Sequence, residues 1–260
     1  MIEFDINVEI EKKLLKILKN RTKKFLKYIE DNNINIENEE ELQKAAEEYK
    51  EKEDKKIFGI NKLLLIYTLA LFIDGISKKQ RDIFKRRMQT ELFIKAMEEA
   101  DKKIRELYIN TTKRTAYHLE KYIEELRKNK EKSAIKDFEK IIKDEIIKDK
   151  WEEAKQRVEE RMALSDFLNA NNVLGEIQAE YVKVIFEELG IKGFVWITKH
   201  DERVREKHAW RDGKVFDLQG NLLKGTKEDD SKILPKQEWG CRCRMAIDEK
   251  VIEEVLKNVS

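Results

Sequence analysis

Residues 190–200, GIKGFVWITKH, mark the point at which the sequence changes its structural pattern. Within this stretch Phe194–Ile197 are aromatic or mostly β-branched and follow closely after two glycines, a combination typical of a β-strand. Three of the nine glycines of the chain lie in 1–189, and six lie in 190–240 together with its only proline, Pro235. The sequence therefore predicts a helical region followed by a different, turn-rich region.

Residues 1–189 follow helical periodicity almost throughout. Apolar residues between 10 and 29 are spaced by three and four, with lysines on the opposite face. The Asn-rich stretch 31–38 predicts a turn, because Asn and Asp side chains compete with the helix for backbone hydrogen bonds. Further helices are expected over about 38–53, from 61 onward, and over 76–189 with breaks near 109–111, 129 and 169–172.

The apolar run LLLIYTLALFI at 63–73 is the most membrane-like segment. It is well short of the roughly 20 residues that a bilayer span needs, so we interpret it as a buried core helix and expect no membrane partner. The first residues carry acids where a signal peptide has basic residues, which favours a cytoplasmic origin. His118 lies alone in a helical pattern and is expected to be structural.

The region after residue 190 predicts a small α+β module. Besides the strand at 192–198, the sequence KVFDLQGNLLKG at 214–225 predicts two short extended pieces about a turn, CRCRMAI at 241–247 predicts a strand, and the tail after Asp248 predicts a short helix. The predicted fold class is mainly α, with a long helical N-terminal body followed by a small α+β C-terminal module. Its segments are a helical body (1–150), a helical lead-in (151–189) and the C-terminal module (190–260).

Charge gives little information about partners. Charged residues make up 42% of the chain, yet the formal net charge is only +2. Residues 190–245 contain 13 Lys and Arg against 9 Asp and Glu. This excess is too small to identify nucleic acid as a partner without other evidence.

Two of the three histidines and both cysteines lie between 200 and 243. A disulfide between Cys241 and Cys243 would close a very small, strained ring. Thiolates and imidazoles together suit zinc, so we predict a metal set of His208, Cys241 and Cys243, with His200 or Asp201 as the fourth ligand. The alternative is that the cysteines are small apolar residues and the histidines form structural hydrogen bonds. A redox pair is disfavoured, because no C-x-x-C opens a helix.

The run between the predicted strand and His208 also has two interpretations. If a short helix begins near Thr198 or Asp201, then Asp201, Arg205 and His208 lie on one face. An Asp–Arg pair could then orient the imidazole. The alternative is an exposed ion pair without functional consequence.

The order of motifs after residue 196 resembles a known family. The sequence reads W-I-T-K-H-D-E-R-V-R-E-K-H, then D-G-K-V-F, I-L-P and W-G-C-R-C. It is similar to the C-terminal domain of phage head morphogenesis proteins of the phage Mu F type, also called minor head or minor capsid proteins, whose pattern is W-x-T-x-x-D-x-R-V-R-x-x-H, a D-G turn, a proline and N-C-R-C. The matching positions are Trp196, Thr198, Asp201, Arg203, Val204, Arg205, His208, Asp212, Gly213, Pro235, Cys241, Arg242 and Cys243.

Outside this string the match is uneven. Glu188–Ile191 fits the E-L-G-[IV] helix end of the family, whereas Ala163–Asp166 departs from its A-R-T-E-like helix. Trp239-Gly240 also replaces the asparagine-type residue before C-R-C. Residues 1–150 match only in being helical.

The resemblance implies a non-enzymatic phage or prophage minor head protein that acts in capsid assembly. The expected partners are the portal protein and the major capsid protein, and packaged DNA is a further candidate. The expected location is the virion, at the capsid interior or portal vertex, and the host cytoplasm during assembly. The resemblance also supports zinc as the cofactor at His208, Cys241 and Cys243.

Two alternative functions stay open at this point. In a metal-dependent nuclease, His200, Asp201 and His208 would hold the ion, and Arg203 or Arg205 would contact phosphate. A DNA-binding protein carried in the virion would instead rely on the mildly basic module.

Overall fold

The computed structural model describes residues 1–36, 38–49, 55–73, 81–82, 86, 90–132, 142–224, 231–248 and 251. It confirms a long helical region followed by a small antiparallel sheet region. The helices and strands in chain order are β1 (Ile2–Phe4), α1 (Val8–Asp31), α2 (Glu39–Glu48), α3 (Lys55–Ile73), α4 (Glu91–Lys132), α5 (Ile142–Leu189), β2 (Gly193–Ile197), α6 (Glu206–Ala209), β3 (Val215–Asp217), β4 (Leu222–Lys224) and β5 (Arg244–Ile247).

The turn predicted at 31–38 is confirmed. Helix α1 ends at Asp31 and α2 begins at Glu39. The side chain of Asn38 accepts a hydrogen bond of 3.3 Å from the backbone N–H of Glu41, which caps the start of α2. The same polar side chains that disfavour a helix interior therefore stabilise the helix end here.

The helix breaks predicted at 109–111 and 169–172 are wrong, because α4 and α5 run through them without interruption. The hydroxyl of Thr111 donates to the carbonyl of Leu107 at 3.1 Å, and the amide of Asn169 donates to the carbonyl of Ser165 at 2.7 Å. Each polar side chain thus bonds to the preceding helical turn and does not compete with it. Near 129, α4 continues to Lys132, and residues 133–141 lie outside the described part.

The chain forms two compact units, one of residues 1–12, 58–104 and 170–260, and one of residues 13–57 and 105–169. The second unit has a continuous apolar core made of Phe25, Leu26, Ile29, Leu42, Ala46, Ala116, Leu119, Tyr122, Ile123, Ala154, Val158 and Met162. The sequence predicted a helical body, a helical lead-in and a C-terminal module as three separate segments. This division stays a prediction.

In the first unit, helix α3 carries the apolar run. Leu64 is fully buried, whereas Leu63 and Ile66 are exposed, so the helix buries one face only. A buried polar network lies beside it: the Asn61 amide donates to Asp101 at 2.8 Å, and the Tyr181 hydroxyl donates to Asn61. Among the described residues, no helix is both long and apolar enough to cross a membrane.

The sheet of the first unit has five antiparallel strands in the order β1-β5-β2-β3-β4. The sequence predicted β2, β3 and β4. It placed the last strand at 241–247, whereas β5 begins at Arg244, so both cysteines precede the strand. The helix predicted after Asp248 falls almost wholly outside the described residues.

Strand β1 was not predicted. It pairs with β5 in a register that places Phe4 opposite Met245. The following residue, Asp5, accepts from the Lys236 ammonium at 3.3 Å, and its carbonyl accepts from the Gln178 amide at 2.6 Å. The N-terminal segment is therefore held at the edge of the sheet by polar contacts as well as by strand pairing.

Strand β2 lies at the centre of the sheet and buries alternate side chains. Phe194 and Trp196 are 1% and 0% exposed, while their neighbours along the strand are half-buried. Gly193 opens the strand because the backbone of β3 approaches it closely. A Cβ atom at this position would lie 2.5 Å from the carbonyl oxygen of Phe216, a distance that no side chain tolerates.

Replacing Gly193 by alanine is therefore expected to destabilise the protein by about 1–3 kcal/mol, as overpacking does. The matched control is Gly59→Ala in α3, where a Cβ would meet no atom within 4 Å. This change is expected to be neutral or to stabilise by about 0.5–1 kcal/mol, because alanine is the better helix former. Urea unfolding of both variants measures the difference. Equal unfolding free energies would contradict the close approach at Gly193.

Candidate metal centre

Three buried side chains converge in the C-terminal module. His208 comes from α6, and Cys241 and Cys243 come from the loop that leads into β5. Their exposed fractions are 2%, 5% and 3%, and both cysteines are free thiols. Their ligand atoms lie within 4.8 Å of one another, and within the described ranges no other group of three or more His, Cys, Asp or Glu side chains does the same.

The distances in this cluster suit a tetrahedral zinc ion. Nδ1 of His208 lies 3.7 Å from Sγ of Cys241 and 3.6 Å from Sγ of Cys243. With Zn–S near 2.3 Å and Zn–N near 2.05 Å, a tetrahedral angle places nitrogen and sulfur about 3.6 Å apart. The three donors therefore fit zinc in type and in spacing. The same distances also suit weak hydrogen bonds between a thiol and an imidazole.

Glu238 holds the opposite side of the imidazole ring. Its Oε2 lies 2.8 Å from Nε2 of His208, and its Oε1 accepts from the ammonium of Lys207. Because an ionised carboxylate can only accept, Nε2 carries the proton and Nδ1 presents its lone pair to the two sulfurs. A carboxylate behind a histidine is the usual support of a metal-binding imidazole.

The charge of Glu238 is stabilised by these partners. Burial alone would raise the pKa of its carboxyl group. The hydrogen bonds from Lys207 and His208 outweigh this effect, so the pKa of Glu238 is lowered and the side chain stays ionised at neutral pH.

A turn upstream of the cysteines supplies a donor to sulfur. The N–H of Gln237 donates to the carbonyl of Leu234, and Lys236 has φ of 71°, so Leu234–Gln237 form a type II turn with Pro235 in its favoured second position. The backbone N–H of Lys236 then donates to Sγ of Cys241 at 3.4 Å. The predicted structural role of Pro235 therefore has a physical basis in this turn.

The two thiols differ in acidity. The thiol of Cys243 donates a hydrogen bond to Cys241, and this contact, together with the hydrogen bond from the backbone N–H of Lys236, lowers the pKa of Cys241 to about 4. The thiolate at Cys241, together with burial, raises the pKa of Cys243. These contacts favour the thiolate form of Cys241, which is the form that binds a cation.

Gly240 positions the loop that carries both cysteines. Its φ of 70° lies in the left-handed region, which glycine adopts without strain. Its N–H donates to the side-chain oxygen of Asn172 on α5 at 2.8 Å. The last helix of the helical region therefore fixes the start of the C-R-C segment.

His200 and Asp201, predicted as the fourth ligand, are not in the cluster. Nε2 of His200 donates to Oδ2 of Asp212 at 2.7 Å, and His200 itself has φ of 55°. Both carboxylate oxygens of Asp201 accept from the guanidinium of Arg242, each at 2.7 Å. These contacts hold the side chains of His200 and Asp201 outside the cluster of His208, Cys241 and Cys243. The nuclease set of His200, Asp201 and His208 is likewise not assembled.

The predicted helix face of Asp201, Arg205 and His208 is also wrong. Helix α6 spans only Glu206–Ala209, and Arg205 is its extended N-cap residue. Arg205 donates to the carbonyl of Trp239 and lies 3.5 Å from Glu238. Arg205 therefore contacts residues just before the C-R-C segment. Asp201 does not pair with Arg205 but with Arg242.

Other predicted motif residues stabilise the module around the cluster. Trp196 packs edge-on against the His208 ring at 5.5 Å between centroids. Asp212 accepts from the backbone N–H of Thr198 at 2.7 Å and from its hydroxyl at 3.0 Å, which joins the end of β2 to the D-G turn. Gly213 follows with φ of 71°, as this turn requires.

A small cavity of about 60 Å³ lies over the cluster. The three candidate donors contribute to its wall, together with Lys199, Arg203, Arg205 and Arg242. Among the described residues, no carboxylate lines it. The described donors number three, so a tetrahedral ion would keep one position for a ligand that is not among them.

Sequence reasoning missed Glu238, Lys236 and Arg211. Arg211 is fully buried, its guanidinium lies 4.4 Å from the centroid of the Trp210 ring, and it donates to the backbone carbonyls of Lys207 and Ser231. The acid at Glu238, three residues before Cys241, is a usable signal, because metal-binding histidines commonly have a carboxylate partner. Arg211 and Lys236 carry no such signal in a chain this rich in charge.

Comparison with known proteins locates these motifs within a family. A sequence model of the family described as phage Mu protein F like protein matches residues 75–246, two thirds of the chain. An uncharacterized protein of Haemophilus influenzae is 32% identical over 89 residues, which are 34% of this chain and 18% of that protein. The chain thus spans under a fifth of that relative. No solved structure matches the chain significantly.

The contacts of Asp212 predict a pH dependence of stability. Burial alone would raise the pKa of Asp212, but the hydrogen bonds from Thr198 and His200 lower it. A lowered folded-state pKa stabilises the protein above the unfolded value of about 4, and this contribution is lost as pH falls through the folded-state pKa. Asp212→Asn should therefore lower the unfolding free energy by about 1–2 kcal/mol at pH 7, and the deficit should shrink below about pH 4.

Urea unfolding between pH 3 and pH 7 measures this difference. The control is Glu202→Gln, an exposed side chain near the same turn. A deficit of Asp212→Asn that stays constant over this range would contradict a charge-based role.

Proposed function

The chain belongs to the phage Mu protein F-like family, and from this membership we propose that it acts in phage head morphogenesis as a minor head protein. The family match over residues 75–246 is the observation that carries the proposal. It includes all of α4 and α5 and the module up to Ala246 in β5, so it covers both cysteines, His208 and the residues that support them.

We further propose that His208, Cys241 and Cys243 hold a zinc ion. The spacing of the donors, the carboxylate of Glu238 behind the imidazole, and the N–H donated to Cys241 support this assignment. The role of the ion would be structural. A bound metal adds folding energy to the segment that carries its ligands.

The protein is proposed to bind and not to cleave. In the described part of the chain, the cavity beside the three donors has four cationic side chains and no carboxylate in its wall. Hydrolysis would call for a general base within hydrogen-bond reach of a bound water. Asp201 and Glu238 are acids close in sequence to the cavity residues, and both hold cationic partners. This arrangement favours a role in assembly.

The proposed partners are the portal protein and the major capsid protein, and the proposed location is the virion. The long helices α4 and α5 offer extended surfaces for such contacts, and the C-terminal module would supply a rigid end. In this proposal the protein is made in the host cytoplasm and enters the particle during assembly.

Zinc content and affinity test the metal assignment. Protein purified without added zinc should contain about one zinc per chain, and Cys241→Ser or Cys243→Ser should abolish stoichiometric binding. Glu238→Gln should weaken zinc binding about 10–100-fold in competition with a chromophoric chelator, because it removes the charge that supports the imidazole. Glu202→Gln, a nearby exposed acid, should leave the affinity within about twofold.

Absence of zinc from the purified protein, together with a melting curve that EDTA does not change, would contradict the metal assignment. Equal zinc affinity of Glu238→Gln and Glu202→Gln would remove Glu238 from the site while leaving the three donors in place.

Assembly is tested by co-expression with a portal protein and a major capsid protein from the same genome. The tagged full chain should co-purify with the portal oligomer and co-sediment with procapsids. A tagged helical protein of similar net charge serves as the control for nonspecific retention. If the chain stays in the soluble fraction while procapsids form normally without it, the head role is contradicted.

A further inference from the structure

The cavity over the candidate metal centre presents four cationic side chains to one small space: Lys199, Arg203, Arg205 and Arg242. They come from the loop after β2 and from the C-R-C segment, so the fold brings them together across about 40 residues of sequence. Like charges placed this close repel one another unless an anion lies between them.

Two of the four cations already have partners. Arg242 forms a two-point ion pair with Asp201, with both distances at 2.7 Å. Arg205 is held by the carbonyl of Trp239 and lies 3.5 Å from Glu238. These two guanidinium groups are therefore fixed in place by the protein itself.

The other two cations are available. Within the described part of the chain, the side chains of Lys199 and Arg203 form no hydrogen bond or ion pair, and both are exposed. Asp201 lies two residues before Arg203 in the sequence, but both of its oxygens are bound to Arg242. Glu238 in turn is held by Lys207 and His208. The cavity thus retains an excess of positive charge.

We propose that this cavity binds a phosphate group, with Lys199 and Arg203 as its direct ligands and Arg205 and Arg242 as the fixed part of the wall. An arginine fork and a lysine ammonium match the oxygen geometry and the charge of phosphate. A volume of about 60 Å³ admits a group of this size but no nucleoside. The phosphate would therefore enter from a larger molecule that stays outside.

The phosphate has two chemically equivalent sources, a polynucleotide backbone and a small phosphate ester. The inference goes beyond the proposed assembly role. It depends on the placement of the cations and not on zinc, so its failure would leave the head role and the metal assignment intact.

The test uses the full-length protein and the double variant Lys199→Gln with Arg203→Gln. Within the described part of the chain neither side chain forms a hydrogen bond or ion pair, so the fold should persist, and far-UV circular dichroism and melting check this. The control is Lys13→Gln with Lys102→Gln, two exposed lysines that remove the same charge elsewhere. The probes are inorganic phosphate, a fluorescein-labelled 20-nucleotide single-stranded DNA, the corresponding duplex, and an oligoglutamate peptide.

Fluorescence anisotropy should show that the site variant binds the labelled DNA at least about tenfold more weakly than the control variant. The slope of log K against log salt should fall by about 2, because two phosphate contacts are lost. Inorganic phosphate should compete with DNA in the wild type. Binding of phosphate without binding of either DNA would identify a small phosphate ester as the source.

Equal affinities of the site variant and the control variant for every probe would overturn the proposal. It would also be overturned if oligoglutamate displaced the DNA and phosphate did not, because the cavity would then select carboxylates.

Discussion

The imidazole of His208 is held from both sides, by two sulfur atoms near Nδ1 and by the carboxylate of Glu238 at Nε2. This contact joins parts of the module that are about 30 residues apart in sequence. Burial of three polar side chains is costly unless each has a partner. The position of α6 and the path of the C-R-C loop therefore depend on one another.

The surrounding structure serves to keep this contact in place. Trp196 on the central strand packs against the imidazole, and Asp212 ties the end of that strand to the D-G turn. Gly240 is fixed by Asn172 on α5. The first residues of the chain add β1 beside β5, which follows the cysteines directly. The C-terminal module is thus completed by residues from both ends of the sequence.

Local signals in the sequence were sufficient for the strand at Gly193–Ile197, the turn at 31–38 and the convergence of His208, Cys241 and Cys243. Apart from this cluster, which the residue types indicated, contacts between distant residues were not predictable. Strand β1 has only three residues, too few to show the alternation of a strand. Its pairing partner β5 lies more than 240 positions away, so the local sequence does not reveal the pairing. His200 and Asp201 lie within eight residues of His208 in sequence, yet their side chains bind Asp212 and Arg242 instead. Helix α4 continues through Thr111 because its hydroxyl bonds back to the preceding turn, which composition alone does not reveal.

The central claim is that His208, Cys241 and Cys243 bind one metal ion. Zinc K-edge X-ray absorption on the full-length protein tests it most directly, because the first shell counts sulfur and light-atom neighbours separately. The expected shell has two sulfurs at about 2.3 Å and two nitrogen or oxygen atoms at about 2.0–2.1 Å, one of them an imidazole. A shell of nitrogen and oxygen alone, or of four sulfurs contributed by two chains, would contradict the claim.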